Sequence, residues 1–160
     1  MTIRVRRAGR LDLRQMAELL NEILRADGAT AIPHPVTAAD LGDWMDRHGA
    51  AAAWHVAEDD AGAIPGFQYV EPHVDLPPEA CSIATFTKPG RAGLGIGSAL
   101  FEETRKAARA LGYLWISARI RADNEGGLIY YQSRGFEVYD GITGQRRAHG
   151  PDQVLMRYDL

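Results

Sequence analysis

The chain has 160 residues, 46% of them hydrophobic and 24% charged, which suits one well-packed soluble domain over residues 1–160 and leaves no room for two ordinary ones. A net charge of −3 gives no basic field for nucleic acid, and the arginines near the start (Arg4, Arg6, Arg7, Arg10, Arg14) are interrupted by Asp12. No apolar run approaches the roughly 18 residues of a membrane span, and no secretory signal opens the chain, so no membrane association and a cytoplasmic location are expected.

TIRVRRA alternates in the manner of a first strand, with Ile3 and Val5 on one face. LDLRQMAELLNEILRADG follows with apolar residues at helical spacing, Asp12 as its expected N-cap and Gly28 beyond its end. The two prolines of TAIPHPV make a loop, after which Thr37 is placed to cap a short helix through AADLGDWMDRH. AAAWHVAED and IPGFQYVEP are strand-like runs on either side of a polar, Gly-containing turn, which predicts an antiparallel hairpin.

CSIATFTK is the next strand, and its Cys81, alone in the chain, rules out an intrachain disulfide and reads as a buried thiol. A glycine-rich loop, a long amphipathic helix ending at Gly112 and the strand YLWISARI then form a strand, loop, helix and strand unit, which normally makes two parallel neighbours. NEGGLIYYQSRGF fits a short helix ending at Gly135, and FEVYDGI and DQVLMRYDL close the chain as strands. The sum is an α+β fold on one mixed sheet. No metal is expected: His73 and Asp75 in EPHVD form an ordinary solvated loop pair, and no HExxH or paired-Cys motif occurs.

Four glycines stand in GRAGLGIGS, directly before the long helix. A helix N-terminus offers unpaired N–H groups and the positive end of the helix dipole, and glycines let an anion approach them, so the arrangement describes a phosphate or pyrophosphate cradle. The triphosphatase loop GxxxxGK does not fit, because Ile96 follows Gly95 where lysine is required. The dinucleotide fingerprint GxGxxG fails at Ser98, and the next strand ends in Arg119 and Arg121 where an acidic ribose ligand belongs. A glycine turn with no ligand stays open on these residues alone.

Together, TFTKPGRAGLGIGSALFEETRKAARALGY and NEGGLIYYQSRGF resemble the two signature blocks of the GNAT superfamily of acetyl-CoA-dependent N-acetyltransferases. In that family a strand ends in proline shortly before a Gln/Arg-x-x-Gly-x-Gly-Gly/Ala loop, and a later helix carries Asn, a Tyr seven residues on, then Gly-Phe. Here Pro89 precedes Gly95 and Gly97 by six and eight residues, and Asn124 precedes Tyr131, Gly135 and Phe136 by seven, eleven and twelve. The N-terminal half is more loosely similar to phosphinothricin-type acetyltransferases, which modify small amino-acid-like amines.

The resemblance implies a mostly antiparallel sheet of six to seven strands, about four flanking helices and a central parallel pair. It also implies acetyl-CoA as co-substrate. The backbone of Thr85, Phe86 and Thr87 would line its pantetheine arm as an added strand would, and Gly93, Leu94, Gly95, Ile96, Gly97 and Ser98 would hold the pyrophosphate. Ala92 occupies the family's Gln/Arg position, with Arg91 one residue early to supply a phosphate contact. Asn124 would bond the pantetheine arm, and Tyr131, a phenol protonated at neutral pH, would act as general acid at the sulfur. Tyr130 points about 100° away around the helix and reads as structural, while Gly126 and Gly127 either leave room for close cofactor approach or fray the first turn of their helix.

In many phosphinothricin-type relatives a strand glutamate is the proposed base, and Ser82 stands there in this chain. Glu79 and Glu71 are the candidate bases instead. Trp44, Trp54, His34, His55, Tyr69 and His73 lie in segments that can line an acceptor pocket, with Trp54 and Tyr69 serving mainly to pack the sheet. The expected function is transfer of acetyl from acetyl-CoA to the primary amine of a small molecule by direct attack. Acetylation of a protein or peptide, and a non-catalytic acyl-CoA-binding module, are the rivals. An exposed strand or the Pro-rich loop could support a homodimer.

Overall fold

The alternation of apolar residues in the strand segments is realised in one twisted sheet, seen in a computed structural model that describes residues 2–26, 34–91, 94–140 and 152–160. The strands are β1 (Arg4–Arg7), β2 (Ala53–Glu58), β3 (Gly66–Glu71), β4 (Ala80–Thr87), β5 (Trp115–Arg121), β6 (Glu137–Asp140) and β7 (Gln153–Asp159). The helices are α1 (Leu13–Ala26), α2 (Ala38–Asp46), α3 (Ile96–Ala110) and α4 (Glu125–Ser133). Sheet order is β1-β2-β3-β4-β5-β7-β6, antiparallel throughout except for the central parallel pair β4 and β5. Both the strand count and the parallel pair agree with the expected α+β architecture. The expected Gly28 helix end, part of the TAIPHPV loop, and Ala92 and Gly93 lie outside the described residues.

Because side chains alternate across a strand, each sheet face takes its own helices. On one face Leu13, Met16 and Leu20 of α1 and Leu41 of α2 pack on Trp54, Val56, Phe67 and Tyr69. Trp54 and Tyr69 are stacked with centroids 3.9 Å apart, which bears out their packing role. On the other face Phe101 and Ala108 of α3 and Tyr131 of α4 pack on Ala53, Val70, Cys81, Ile83, Ile116 and Ala118. Ile3 and Val5 share that side, against Ala57, Ile96 and Leu100. Cys81 is fully buried there, and desolvation pushes its thiol up to about 12, so it remains protonated packing material.

Helix ends follow local chemistry with one correction. Thr37 caps α2 as expected: its Oγ1 accepts from the Asp40 N–H at 3.0 Å, and Asp40 Oδ2 accepts from the Thr37 N–H at 2.9 Å. Asp12 is not the cap of α1. A single 3-10 turn, Arg10–Asp12, precedes that helix with Gly9 as its cap, and Asp12 turns back to accept from the Gly9 N–H at 2.7 Å. The reason is Arg6, whose two terminal nitrogens each donate to Asp12 at 2.8 Å and draw the carboxylate inward. That charge-assisted pairing holds the Asp12 carboxyl below the usual carboxylate range.

Candidate active site

The site begins where two strands part. β4 and β5 pair from Ala80 with Trp115 to Ile83 with Ala118, yet β4 runs on to Thr87 and β5 to Arg121. Beyond Ile83 the β5-facing edge of Ala84, Thr85, Phe86 and Thr87 therefore opens into a wedge, and an extended ligand arm can be added there with main-chain bonds. The other edge of these residues stays paired with β3 through Thr87, so the wedge has a fixed wall. Two surface pockets occur elsewhere, one beside Arg7 and Trp54 and one beside Leu128 and Val138. Neither touches Thr85 or Tyr131, and strand divergence with converging polar groups locates the site better than cavity size.

At the end of β4 the chain reaches the glycine loop. Gly90 and Gly95 both adopt φ +80°, a conformation that favours glycine, and Gly95 is the N-cap of α3 with no side-chain cap. The first helical bond runs from the Ala99 N–H to the Gly95 oxygen at 3.0 Å, so the N–H groups of Ile96, Gly97 and Ser98 have no helical acceptor. Leu94 and Ser98 are exposed beside them, and Arg91 is half-buried. Ile96 instead points into the core, where it is 2% exposed, so it can serve a ligand only through its backbone.

Sequence reasoning missed Arg134. From the end of α4 its guanidinium donates to Ser98 Oγ at 2.5 Å, which puts a cation beside the already positive end of α3. Two like-signed features held together favour an anion between them. A lone arginine after a helix carries no signal of this in sequence, because only the packing of α4 against α3 brings Arg134 to Ser98.

Gly97 has a second reason to lack a side chain. A Cβ there would lie 2.6 Å from Cε1 of Tyr130, whose hydroxyl donates to the Gly97 carbonyl at 2.7 Å. Tyr130 is thus structural, as expected, and also part of a polar cluster. Of Gly126 and Gly127, the second has a role within the fold itself. The Asn124 side chain caps α4 by accepting from the Gly127 N–H at 3.0 Å, and a Cβ on Gly127 would lie 2.7 Å from Asn124 Nδ2. Gly127 therefore makes space for the cap. Asn124 itself is exposed, its Oδ1 spent on that cap.

Tyr131 is buried on α4, and its hydroxyl lies 2.8 Å from Thr85 Oγ1. Desolvation holds this phenol above its ordinary value of about 10, with the Thr85 bond opposing the rise. Thr85 and Tyr131 are thereby brought together as expected. Phe86 faces the opposite side, its ring 4.8 Å from Phe67, so only its backbone borders the wedge.

Glu79 is not brought to this place. It is exposed in the turn before β4, six residues from Thr85, which is about 20 Å along an extended strand. Glu71 is nearer: it is the register partner of Ser82, 8% exposed, and accepts from Arg47 Nε at 3.1 Å and Nη2 at 2.7 Å. The proposed acceptor lining is also divided. His55 is buried on the α3 face as the register partner of Gln68, where desolvation pushes its imidazole down to about 4. Tyr69 and the Arg47 and Glu71 pair lie on the other face with Trp44, whose ring Arg47 covers at 5.8 Å. His73 accepts from the Asp75 N–H at 3.0 Å, and Asp75 pairs with Arg119 at 3.2 Å.

Known proteins share the sequence and fold of this chain. A Bacillus subtilis (strain 168) protein, YwnH, whose name gives it provisionally as a phosphinothricin acetyltransferase, is 26% identical over all of this chain and 95% of its own length. A GNAT superfamily phosphinothricin acetyltransferase from Sinorhizobium meliloti, solved in complex with acetyl-CoA, is 25% identical with a TM-score of 0.84, covering 100% of this chain and 89% of the other. The ribosomal-protein-alanine N-acetyltransferase of Brucella melitensis shares the fold at 22% identity and a TM-score of 0.82, covering 98% of this chain and 99% of the other. The acetyltransferase (GNAT) domain model matches residues 50–138, a span holding the parted strands, the glycine loop and the Tyr131 helix, and the chain belongs to that family of acetyltransferases.

Proposed function

We propose that the chain is an N-acetyltransferase that moves an acetyl group from acetyl-CoA to the primary amine of a small molecule by direct attack, with Tyr131 as general acid. The observation that carries this reading is the Tyr131 hydroxyl, 2.8 Å from Thr85 Oγ1 on the strand edge that lies beyond the last β4 to β5 pair. Acetyl-CoA would supply the acetyl thioester. The backbone of Thr85, Phe86 and Thr87 orients its extended arm along the wedge. The N–H groups of Ile96, Gly97 and Ser98, with Leu94, Gly95 and Arg91 around them and Arg134 added, would hold the phosphates. Asn124, its Oδ1 capping α4, would donate to the pantetheine arm through its amide NH2.

Three things are required of the protein: orientation, exclusion of water, and a proton for the departing thiolate. Tyr131 Oη holds that proton in a buried position, and burial prevents the phenol from losing it to solvent. Glu71 stands on the level of Ser82 and is better placed than Glu79 to receive the amine, with Arg47 fixing its carboxylate. A small acceptor is supported by the two relatives named for phosphinothricin acetylation and by this confined ion pair. The Brucella relative's name makes a protein amine the alternative acceptor.

The test is release of free thiol from acetyl-CoA against a panel of small amines, amino acids and peptides, for wild type and Tyr131→Phe. Turnover on small amines that falls at least about a hundredfold in Tyr131→Phe, with cofactor affinity kept, is the expected result. Turnover on peptides alone would reassign the acceptor. Binding of acetyl-CoA with no turnover on any amine would make the chain a binding module.

A further inference from the structure

A partly buried chain of hydrogen bonds joins the glycine loop to Tyr131 through a residue of β3. Gln68 is fully buried, and its Nε2 lies 2.8 Å from Thr85 Oγ1 and 3.1 Å from Tyr130 Oη. Tyr130 Oη lies 2.7 Å from the Gly97 carbonyl, and Thr85 Oγ1 lies 2.8 Å from Tyr131 Oη. Donor counting sets the proton positions from Gly97 to the Gln68 amide.

A carbonyl only accepts, so the single Tyr130 hydroxyl proton is committed to Gly97. Tyr130 Oη must then accept from Gln68, which fixes the amide with its NH2 group toward Tyr130 and Thr85. The two amide protons are both used, and Gln68 Oε1 has no protein partner among the described residues. Thr85 Oγ1 accepts one of those protons. Between Thr85 Oγ1 and Tyr131 Oη either hydroxyl can donate, and where Thr85 donates the Tyr131 proton points elsewhere.

We infer that Gln68 is a positioning residue for acetyl transfer: held by Tyr130 and Gly97, it biases Thr85 toward donating to Tyr131 and so aims the Tyr131 proton at the departing sulfur. The inference rests on the general-acid reading of Tyr131. In the step concerned the amine nitrogen forms its bond to the acetyl carbon, and the carbon–sulfur bond breaks with its electron pair going to sulfur. The Tyr131 proton passes to that sulfur to give the thiol, and the phenolate is restored by the proton lost from nitrogen. During the interval the Thr85 hydroxyl stabilises the phenolate oxygen. Gln68 occupies one of the two acceptor positions of Thr85 Oγ1; without it both are open to the Tyr131 proton, which would point away from the sulfur.

A double-mutant cycle tests this. Gln68→Met keeps the volume and removes the donors. The expected result is a fall in kcat of roughly tenfold or more, KM for acetyl-CoA within about threefold of wild type, and almost no further loss when Gln68→Met is added to Tyr131→Phe. A loss of equal size in the Tyr131→Phe background overturns the inference, because Gln68 would then act through structure alone. Unchanged kcat in Gln68→Met, with Tyr131→Phe strongly impaired, overturns it while sparing the general acid. Unimpaired Tyr131→Phe overturns the general-acid reading itself. If Gln68→Met does not fold, Thr85→Val takes its place in the cycle, and its loss of turnover should nearly vanish in the Tyr131→Phe background. A loss of equal size in both backgrounds would overturn the inference.

Discussion

Gly97→Ala tests the packing that underlies both the loop and the polar chain. The added Cβ would lie 2.6, 3.1 and 3.3 Å from Cε1, Cζ and Cδ1 of Tyr130, while carbon atoms in comfortable contact are about 3.5–4.0 Å apart. The ring must retreat by about 1 Å. That movement stretches the hydroxyl bond to the Gly97 carbonyl, now 2.7 Å, and the bond from Gln68, now 3.1 Å. Overpacking of this kind costs about 1–3 kcal/mol and each weakened buried bond about 1 kcal/mol, against a helix-propensity gain of up to about 1 kcal/mol for alanine over glycine. The expected net loss is about 1–3 kcal/mol, or roughly 3–10 °C in Tm for a chain of this length.

Gly126→Ala is the matched control. It also lies in the first turn of a helix, but the nearest atom to its added Cβ is 3.9 Å away, so it should be neutral or more stable by up to about 1 kcal/mol. Urea unfolding followed by circular dichroism gives both values on one scale. Equal stability of the two variants would refute the steric argument, and with it the assignment of Gly97 to the packing of Tyr130.

Three further outcomes follow from buried charge. His55, 6% exposed with its imidazole pushed down to about 4 chiefly by desolvation, is neutral in the folded chain, whereas the unfolded chain takes up a proton near 6.5. Stability is therefore full above about pH 6.5 and falls by about 3 kcal/mol toward pH 4; His55→Leu should flatten that part of a urea-midpoint series against pH. Asp12→Asn removes a carboxylate held low by Arg6, a contribution present above about pH 4 and lost as acid protonates it, so the variant should lose about 2 kcal/mol at pH 7 and less near pH 3 in the same assay. Glu71→Gln weakens the two bonds from Arg47, whose side chain is 43% exposed, so a loss of only about 1 kcal/mol is expected in thermal unfolding.

Much of this protein was settled by short-range sequence patterns. Alternation in AAAWHVAED and IPGFQYVEP specified a hairpin, helical spacing specified α1 and α3, and Thr37 capped α2 through Asp40 because both partners lie within one turn. The spacings from Pro89 to Gly97 and from Asn124 to Phe136 specified the family for the same reason, since each lies within one loop or one helix. Asp12 escaped the local rule because Arg6, on the neighbouring strand, offered its carboxylate two charged donors.

What only the tertiary structure decided are relations between elements far apart in the chain. Arg134 meets Ser98 across 36 residues, and Gln68 meets Tyr130 across 62. The β4 and β5 strands part after Ile83 and Ala118, which no local pattern encodes. Glu71 and Glu79 look alike as loop-flanking carboxylates in sequence, yet burial and Arg47 separate them. A hydrogen bond or an ion pair between distant residues depends on how helices and strands pack, and packing is a property of the whole sheet and its two helical layers.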